Sequence, residues 1–152
     1  MKVSVVILTW NGEDTVEECL HGVFSQKGDF ELDVVVIDSS STDSTLEIAA
    51  RFPARVRVID QRDFDHGDTR NMGAWLTDGE LIVYLVQDAY PLRDDWLATL
   101  VRNFEDERIG GVFCRILPRP TAGPLVRRGV EGDSSPAGSS AGNRTPPWPK
   151  AS

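Results

Sequence analysis

The sequence lacks several features that would assign it to a common class of protein. Its 152 residues include only two cysteines, Cys19 and Cys114, too few for a disulfide framework or a cysteine zinc site. Both lie in apolar-patterned segments, so we expect reduced core thiols in a cytoplasmic protein. No run approaches the ~18 apolar residues of a membrane span, and the amino-terminal stretch lacks a signal peptide's length and cleavage site. We therefore expect no transmembrane segment.

Three familiar active-site signatures are also absent from the apolar-patterned part of the chain. No G-x-G-x-x-G follows the first apolar run and no G-x-x-x-x-G-K-[ST] occurs anywhere, which argues against an ordinary dinucleotide or P-loop site. Ser39–Ser44, His66 and several aspartates would allow a serine triad on paper. G-x-S-x-G occurs only at residues 138–142, in the Gly- and Ser-rich tail and with no apolar run directly before it, so we discount a serine hydrolase.

Positive charge is scarce in most of the chain. The formal net charge is −8, and from Pro118 onward five basic residues face two acidic ones, so the first 117 residues carry −11. A body this acidic repels nucleic-acid phosphates, and we expect no nucleic-acid partner. The charge still permits a metal-bridged nucleotide held in one local site.

What the sequence does contain is a series of short apolar runs at regular intervals. Val3–Thr9, Leu32–Ile37 and Leu81–Val86 are nearly continuous in apolar residues, which predicts strands buried on both faces. Val56 and Val58 alternate with arginines, which predicts a less buried strand. Gly110–Cys114 is expected to form a further short strand.

The segments between these runs have the apolar spacing of helices or residues that commonly begin a helix. Apolar residues at i, i+3, i+4, i+7 and i+8 predict an amphipathic helix in the first interval, and Ser44 with Glu47 has the spacing of a capping box. The helix there is expected to end near Phe52, before a proline. The four predicted helices begin near Asp14, at Ser44, at Asp68 or Thr69, and at Pro91 to Asp94.

The order strand, helix, strand, helix, strand predicts an α/β fold with a mainly parallel sheet. In such sheets ligands bind outside the carboxyl ends of the strands. The segments Thr9–Asn11, Asp38–Ser40 and Gln87–Asp88 follow the three buried strands, so we expect the ligand site there. Asp88 is either a metal or diphosphate contact or a solvated helix cap, and Asp38 has the same two interpretations.

Two further side chains have both a binding and a structural interpretation. Arg70, near a helix start, has the donor geometry for a phosphate; alternatively it pairs with Asp65 or Asp68. His66 is either a hydrogen-bond donor to a ligand or a turn residue. One carboxylate at Asp88 is sufficient for a hard cation such as Mg²⁺ when substrate phosphates supply the remaining oxygens.

Three stretches in the same order resemble a known family. VSVVILTWNGEDTVEECL, LDVVVIDSSSTDST and GDTRNMGAWLTDGELIVYLVQDAYP look like the donor-binding half of family 2 glycosyltransferases, which have the GT-A fold. The pattern FDHG-x-TRN followed by QDA, and then RILPRP, resembles the rhamnosyltransferase-like members. The resemblance covers about residues 3 to 128 and implies a three-layer, Rossmann-like nucleotide-diphospho-sugar transferase domain over residues 1–128.

The resemblance implies roles for particular side chains. On the nucleotide side it implies that Thr9 and Asn11 line the pocket and that Asp38 contacts the base. On the diphosphate and sugar side it implies His66, Gly67, Arg70, Asn71, Gln87 and Asp88. Asp88 is expected to bind the divalent cation, Mg²⁺ or Mn²⁺, as the remaining acid of the family's Asp-x-Asp motif.

The chain departs from the family pattern in two ways. Val86 stands where the motif has its first acid, and Asp68 stands where a small residue is usual. The family's general base lies beyond the matching stretch, so no catalytic residue is assigned. Residues 129–152 are rich in Gly, Pro, Ser and Ala, which predicts a disordered tail and a C-terminally truncated product.

Two functional hypotheses follow. The first is transfer of a sugar from a nucleotide-diphosphate donor, of the dTDP-rhamnose type, to a glycan or other hydroxyl acceptor. The alternative is a catalytically inactive nucleotide-binding fragment or interaction module. An exposed sheet edge or apolar face in such a chain also predicts self-association.

Overall fold

The computed structural model describes residues 1–119 and has strands and helices in alternation. Residues 1–110 form one compact unit, and the described residues 111–119 belong to a second. The strands are β1 (Lys2–Thr9), β2 (Glu31–Asp38), β3 (Arg55–Val58) and β4 (Leu81–Val86). The helices are α1 (Val16–Phe24), α2 (Thr45–Ala49), α3 (His66–Trp75) and α4 (Trp96–Arg102), with 3₁₀ turns at Gln61–Asp63 and Asn103–Glu105.

The four strands form one parallel sheet in the order β3-β2-β1-β4. This confirms the predicted α/β class and the parallel sheet. Thr9 pairs with Asp38, and Leu8 pairs with Val86 in the last pair between β1 and β4. The carboxyl ends of β1, β2 and β4 therefore meet at one edge of the sheet, with β1 in the middle.

Helices cover both faces of the sheet, which gives three layers. On one face Val5, Ile7 and Val36 pack with buried residues of α1, α2 and α4. On the other face Val6 and Val35 pack beside Leu76, which follows α3. An added Cβ at Gly73 of α3 would lie 2.5 Å from Cγ1 of Val6. This close approach sets the position of α3 on the sheet.

Strand β4 differs from its prediction. We expected a strand buried on both faces, but alternate residues of β4 are exposed, among them Ile82, Tyr84 and Val86 at 37, 40 and 38%. The reason is its position: within residues 1–119, β4 is an outer strand of the sheet. The prediction of a less buried β3 is confirmed, since all four of its residues are exposed.

Two predicted sets of capping contacts are wrong, although α2 begins directly after Ser44 as predicted. Ser44 precedes α2 but makes no capping bond with its side chain. The carboxylate of Glu13 accepts the Ser44 backbone N–H at 3.0 Å, the contact that a capping box assigns to Glu47. Helix α3 is capped by Asp65 and not by Asp68 or Thr69. In both places the carboxylate that makes the capping contact, Glu13 or Asp65, belongs to a residue that the prediction did not consider.

Residues 111–119 contain no helix or strand. The predicted strand at Gly110–Cys114 is therefore wrong; Phe113 is 94% exposed and so does not pack its ring as a strand of a core would require. Cys19 is buried as predicted, whereas Cys114 is exposed and not a core thiol. The predicted disordered tail at 129–152 lies outside the described residues.

None of the helices described within residues 1–119 is both long and apolar enough to cross a membrane.

Candidate functional site

Thr9 and Asp38 join the carboxyl ends of β1 and β2. The Thr9 hydroxyl donates to Oδ2 of Asp38 at 2.8 Å. The same carboxylate accepts from the Ser41 backbone N–H at 2.7 Å and from its hydroxyl at 2.6 Å. Asp38 has no exposed surface and Thr9 is 3% exposed. In this structure Asp38 holds the turn after β2, and its contact with a base stays a prediction.

Asn11 connects the loop after β1 to the loop after β2. Its backbone is left-handed, with φ 44°, a conformation that asparagine tolerates better than most residues. Its N–H donates to the Ser41 hydroxyl at 2.8 Å, and its side-chain oxygen accepts the Thr42 N–H at 2.9 Å. Asn11 therefore shapes the rim of the sheet edge by fixing both loops.

Gln87 connects the end of β4 to the end of β1. Its Oε1 accepts the Trp10 backbone N–H at 2.8 Å, and its Nε2 donates to the Trp10 carbonyl at 2.9 Å. The backbone turns immediately afterwards, since the Ala89 N–H donates to the Val86 carbonyl at 3.0 Å. Asp88 is exposed at this turn.

A cleft of about 460 Å³ opens at the edge where these strands end. It joins residues from β1, the turn after β2, the segment before α3 and the end of β4. Of the predicted site residues, four line it: Thr9, His66, Gln87 and Asp88. The others in its wall are Leu8, Trp10, Ser39, Gln61, Phe64 and Val86. Asn11, Asp38, Gly67, Arg70 and Asn71 lie outside the wall.

Trp10 and Ser39 are two of the six wall residues that the list of predicted site residues omitted. Trp10 is 50% exposed, so the cleft has a large flat side chain available for ring stacking. Ser39 is 3% exposed, and its hydroxyl has no partner among the described residues. A buried hydroxyl without a partner is costly unless a water or ligand satisfies it. Both residues directly follow buried strands, which is the signal that could have identified them.

The start of α3 and the segment before it also contribute to the wall of the cleft, through Gln61, Phe64 and His66. The rings of Phe64 and His66 meet edge to face with centroids 4.9 Å apart. Asp65 caps α3, and its Oδ1 accepts the N–H groups of Gly67 and Asp68 at 2.7 and 3.0 Å. The Asp68 N–H bond, followed by the Gly67 bond, holds the pKa of Asp65 below its ordinary value. The first-turn donors of α3 are therefore already engaged by a carboxylate.

Arg70 and Asn71 occupy the first half of α3. Arg70 Nη1 donates to the His66 carbonyl at 3.0 Å, and among the described residues no ion pair joins it to Asp65 or Asp68. The Arg70 carbonyl accepts the Tyr84 hydroxyl at 3.1 Å, which holds α3 against β4. Asn71 is exposed. A phosphate role for either residue stays a prediction.

The metal-ligating side chains at the cleft suit a cation that is shared with a bound ligand better than a cation held by the protein alone. Residues 1–119 contain no cluster of three or more His, Cys, Asp or Glu side chains suited to a metal. Asp88 is an exposed carboxylate at the cleft, and the neighbouring amide of Gln87 is bonded to Trp10. Mg²⁺ and Mn²⁺ prefer oxygen ligands, and one carboxylate is enough when phosphates supply others. Asp88 is the residue that would hold such an ion.

A second cleft lies at the opposite ends of the strands and has different chemistry. It measures about 360 Å³ and is lined by Met1, Glu80, Leu81, Val101, Phe104 and Glu105. Two carboxylates in its wall would repel a diphosphate. The first cleft is therefore the candidate nucleotide site.

Comparison with known proteins gives consistent results. The family model described as glycosyl transferase family 2 matches residues 4–148. The O-antigen chain rhamnosyltransferase RfbN of Salmonella typhimurium is 35% identical over 128 residues, 83% of this chain and 40% of that protein. WbaN of Salmonella anatum, also named an O-antigen chain rhamnosyltransferase, is 32% identical over 81% of this chain and 39% of its own length. The chain thus spans about two fifths of these curated relatives.

Solved structures show the same architecture. The mannosyltransferase PcManGT from Pyrobaculum calidifontis, solved with GDP-Man and Mn²⁺, matches with a TM-score of 0.67 at 28% identity, over 76% of this chain and 35% of that one. Residues 1–349 of S. aureus TarS match with a TM-score of 0.62 at 26% identity, over 78% of this chain and 39% of that one. These similarities confirm the GT-A fold.

Proposed function

Because the chain belongs to glycosyl transferase family 2, we propose that it binds a nucleoside diphosphate sugar in the cleft between Trp10 and Asp88. The observation that carries the proposal is the cleft itself. Along the sheet edge, the unpartnered buried hydroxyl of Ser39 follows β2, the half-exposed ring of Trp10 follows β1 and the exposed carboxylate of Asp88 follows β4. A nucleotide with a metal-bound diphosphate is complementary to these groups, with its nucleoside beside Ser39 and Trp10 and its diphosphate beside Asp88.

On the nucleoside side, the Trp10 ring stacks on the base and the Ser39 hydroxyl makes a hydrogen bond with its polar edge or with the ribose. Stacking on an aromatic side chain contributes about 1–3 kcal/mol per base. Thr9 and Asp38 act beneath this surface, since their mutual bond is buried. Asn11 fixes the adjoining loops.

On the diphosphate side, Asp88 would hold Mg²⁺ or Mn²⁺. When bound, the ion would supply charge stabilisation for the departing diphosphate. It also offsets the repulsion that an acidic body exerts on an anion. His66 also lines the cleft, and Arg70 and Asn71 follow it along α3. Structures of the related PcManGT and TarS contain GDP-Man with Mn²⁺ and UDP-GlcNAc respectively, which supports this class of ligand.

The proposed reaction is glycosyl transfer. The oxygen of an acceptor hydroxyl forms a bond to the anomeric carbon of the donor sugar, and the bond from that carbon to the diphosphate breaks. The nucleoside diphosphate departs with the bonding electron pair, and the hydroxyl proton passes to a general base. Residues 1–119 supply the donor side of this reaction, and none of them is assigned as the base.

The similarity to two O-antigen chain rhamnosyltransferases favours a dTDP-rhamnose donor and a glycan acceptor. Nucleotide sugars are made in the cytoplasm, so we propose a cytoplasmic location for the donor-binding unit. The FDHG-x-TRN and QDA patterns of the sequence support the same donor class.

A binding and transfer series tests the proposal. dTDP, UDP and GDP are titrated calorimetrically with and without Mn²⁺, and the matching nucleotide sugar is then incubated with a glycan acceptor. We expect one nucleotide to bind more tightly than the others, with Mn²⁺ increasing its affinity, and sugar to be transferred. Binding without release or transfer of sugar would contradict the enzymatic part. Absence of binding by all three would contradict the proposal as a whole.

A further inference from the structure

The side chain of Gln87 extends the β1–β4 ladder beyond its last backbone pair. Leu8 and Val86 are the final partners in the register, and the chain after Val86 turns away. The Gln87 amide then meets both polar groups of the Trp10 backbone, at 2.8 and 2.9 Å. One side chain thus satisfies both polar groups of the Trp10 backbone, which in a longer parallel ladder would bond to two different residues of the neighbouring strand.

The neighbouring glycine leaves the room for this amide. An added Cβ at Gly12 would lie 2.3 Å from both Cδ and Oε1 of Gln87. The Gly12 N–H itself donates to the buried hydroxyl of Thr45 at 2.8 Å. The Gln87 amide is therefore packed against the turn that follows β1, in addition to being hydrogen-bonded to it.

These contacts place Gln87 between the two halves of the cleft. Trp10, whose backbone it holds, carries the aromatic surface on the nucleoside side. Asp88, its neighbour in the chain, carries the carboxylate on the diphosphate side. Both Oε1 and Nε2 of Gln87 already have backbone partners, so its strongest interactions are with the protein.

We propose that Gln87 is a positioning residue that sets Trp10 and Asp88 relative to each other, so that base stacking and metal-assisted diphosphate binding occur together. This inference rests on the proposed function and assigns Gln87 a role other than direct contact with the donor. Positioning groups that act through a metal ligand typically change affinity by about 10–100-fold when they are removed. We expect a loss in that range from Gln87→Leu.

Gln26 provides a matched control. Its amide makes the same kind of connection elsewhere: Nε2 donates to the Arg93 carbonyl at 2.7 Å, and Oε1 accepts the Leu97 N–H at 2.9 Å. Gln26 is not in the wall of the cleft. Nε2 of Gln26 also donates to the Gly22 carbonyl at 3.0 Å, so Gln26→Leu removes at least as many bonds as Gln87→Leu. Only Gln87→Leu is expected to affect the ligand.

The experiment measures the affinities of wild type, Gln87→Leu, Gln87→Glu and Gln26→Leu by calorimetry. The probes are dTDP and dTMP, each with and without Mn²⁺, and melting temperatures are recorded in parallel. We expect Gln87→Leu to bind both nucleotides at least about tenfold more weakly and to lose most of the Mn²⁺ enhancement for dTDP. Gln87→Glu should also weaken nucleotide binding, because a carboxylate oxygen in place of Nε2 cannot donate to the Trp10 carbonyl and repels it. Gln26→Leu should bind as wild type does at temperatures where it is folded.

Three outcomes would overturn the inference, and each is distinct from failure of the proposed function. Unchanged affinities in Gln87→Leu would mean that the amide positions nothing. A loss confined to dTDP, with dTMP unaffected, would mean a direct diphosphate contact. Equal losses in Gln26→Leu and Gln87→Leu would mean general destabilisation. Failure of the wild-type chain to bind either nucleotide would instead contradict the proposed thymidine nucleotide site, on which the inference rests.

Discussion

The Thr9 hydroxyl donates a 2.8 Å hydrogen bond to a carboxylate, that of Asp38, which has no exposed surface. The bond joins β1 and β2 at the point where both strands end. Because the same carboxylate also accepts two bonds from Ser41, it fixes the turn that carries Ser39 into the cleft. The buried pair therefore supports the nucleoside side of the site from below.

Removing the donor of this pair should destabilise the protein. Thr9→Val keeps the shape of the side chain but leaves one oxygen of Asp38 with one bond fewer. We expect a loss of about 1–3 kcal/mol in the free energy of unfolding, the usual cost of a bond to a buried charged group. Urea denaturation measures it. Thr99→Val, at an exposed helix position, serves as the control and should change stability by less than about 0.5 kcal/mol; equal losses in the two variants would contradict the account.

Helix α3 should tolerate no side chain at Gly73. A Cβ there would lie 2.5 Å from Cγ1 of Val6, and a branched core side chain has little room to move. Gly73→Ala is expected to cost about 1–3 kcal/mol, as overpacking does, although alanine favours a helix intrinsically. Gly110→Ala is the control, since within residues 1–119 no atom apart from those of its chain neighbours lies within 4 Å of its added Cβ. A Gly73→Ala protein as stable as wild type in urea would show that α3 lies further from the sheet.

The cap of α3 should give a pH-dependent contribution to stability. Hydrogen bonds from the N–H groups of Asp68 and Gly67 lower the pKa of Asp65 in the folded protein. A lowered folded-state pKa means that ionised Asp65 stabilises the fold above its unfolded pKa of about 3.9. That contribution is lost as the pH falls through the folded value. The difference in unfolding free energy between wild type and Asp65→Asn should be constant above about pH 5 and shrink in more acidic solution. A difference that grew on acidification would contradict the assignment.

The two edges of the sheet differ in a way that predicts self-association. Arg55 and Arg57 protect the β3 edge, as charged side chains commonly do. Strand β4, with the sequence LIVYLV, has no charge along its edge, and within residues 1–119 nothing pairs with its outer side. We predict that a second copy pairs there, giving oligomers whose mass in light scattering rises with concentration.

Lysine substitutions on β4 and on β3 test which edge of the sheet mediates the self-association. Ile82→Lys places a charge beside the β4 edge and should shift the population toward monomer. Val56→Lys makes the same change at the already protected β3 edge and should leave the oligomer unchanged. A wild-type chain that is monomeric at every concentration would contradict the prediction.

The sheet could be predicted from sequence because its signals are local and strong. Three apolar runs of six or seven residues, separated by helical spacing, specify β1, β2 and β4 and their parallel order. What the runs could not specify was which strand lies at an edge, so β4 was expected to be fully buried. Strand order depends on contacts between distant segments, and no single run contains that information.

The site was predictable in outline and less so in its details. The rule that ligands bind at the carboxyl ends of strands selected Thr9, Gln87 and Asp88, which line the cleft. It also selected the segments containing Trp10 and Ser39, which the list of site residues then omitted. The tertiary bonds were not visible in the sequence: Glu13 accepts the N–H that Glu47 was expected to accept, and Gln87 bonds the Trp10 backbone 77 residues away.

The measurement that tests the central claim most directly is the Mn²⁺ dependence of nucleoside diphosphate binding in Asp88→Asn. Asparagine keeps the size of the side chain and removes its charge, so we predict that the nucleotide still binds and that Mn²⁺ no longer increases its affinity. Asp29→Asn, an exposed acid just before β2 and outside the wall of the cleft, should retain the full enhancement. An Mn²⁺ enhancement in Asp88→Asn equal to that of wild type would contradict the placement of the diphosphate at the end of β4.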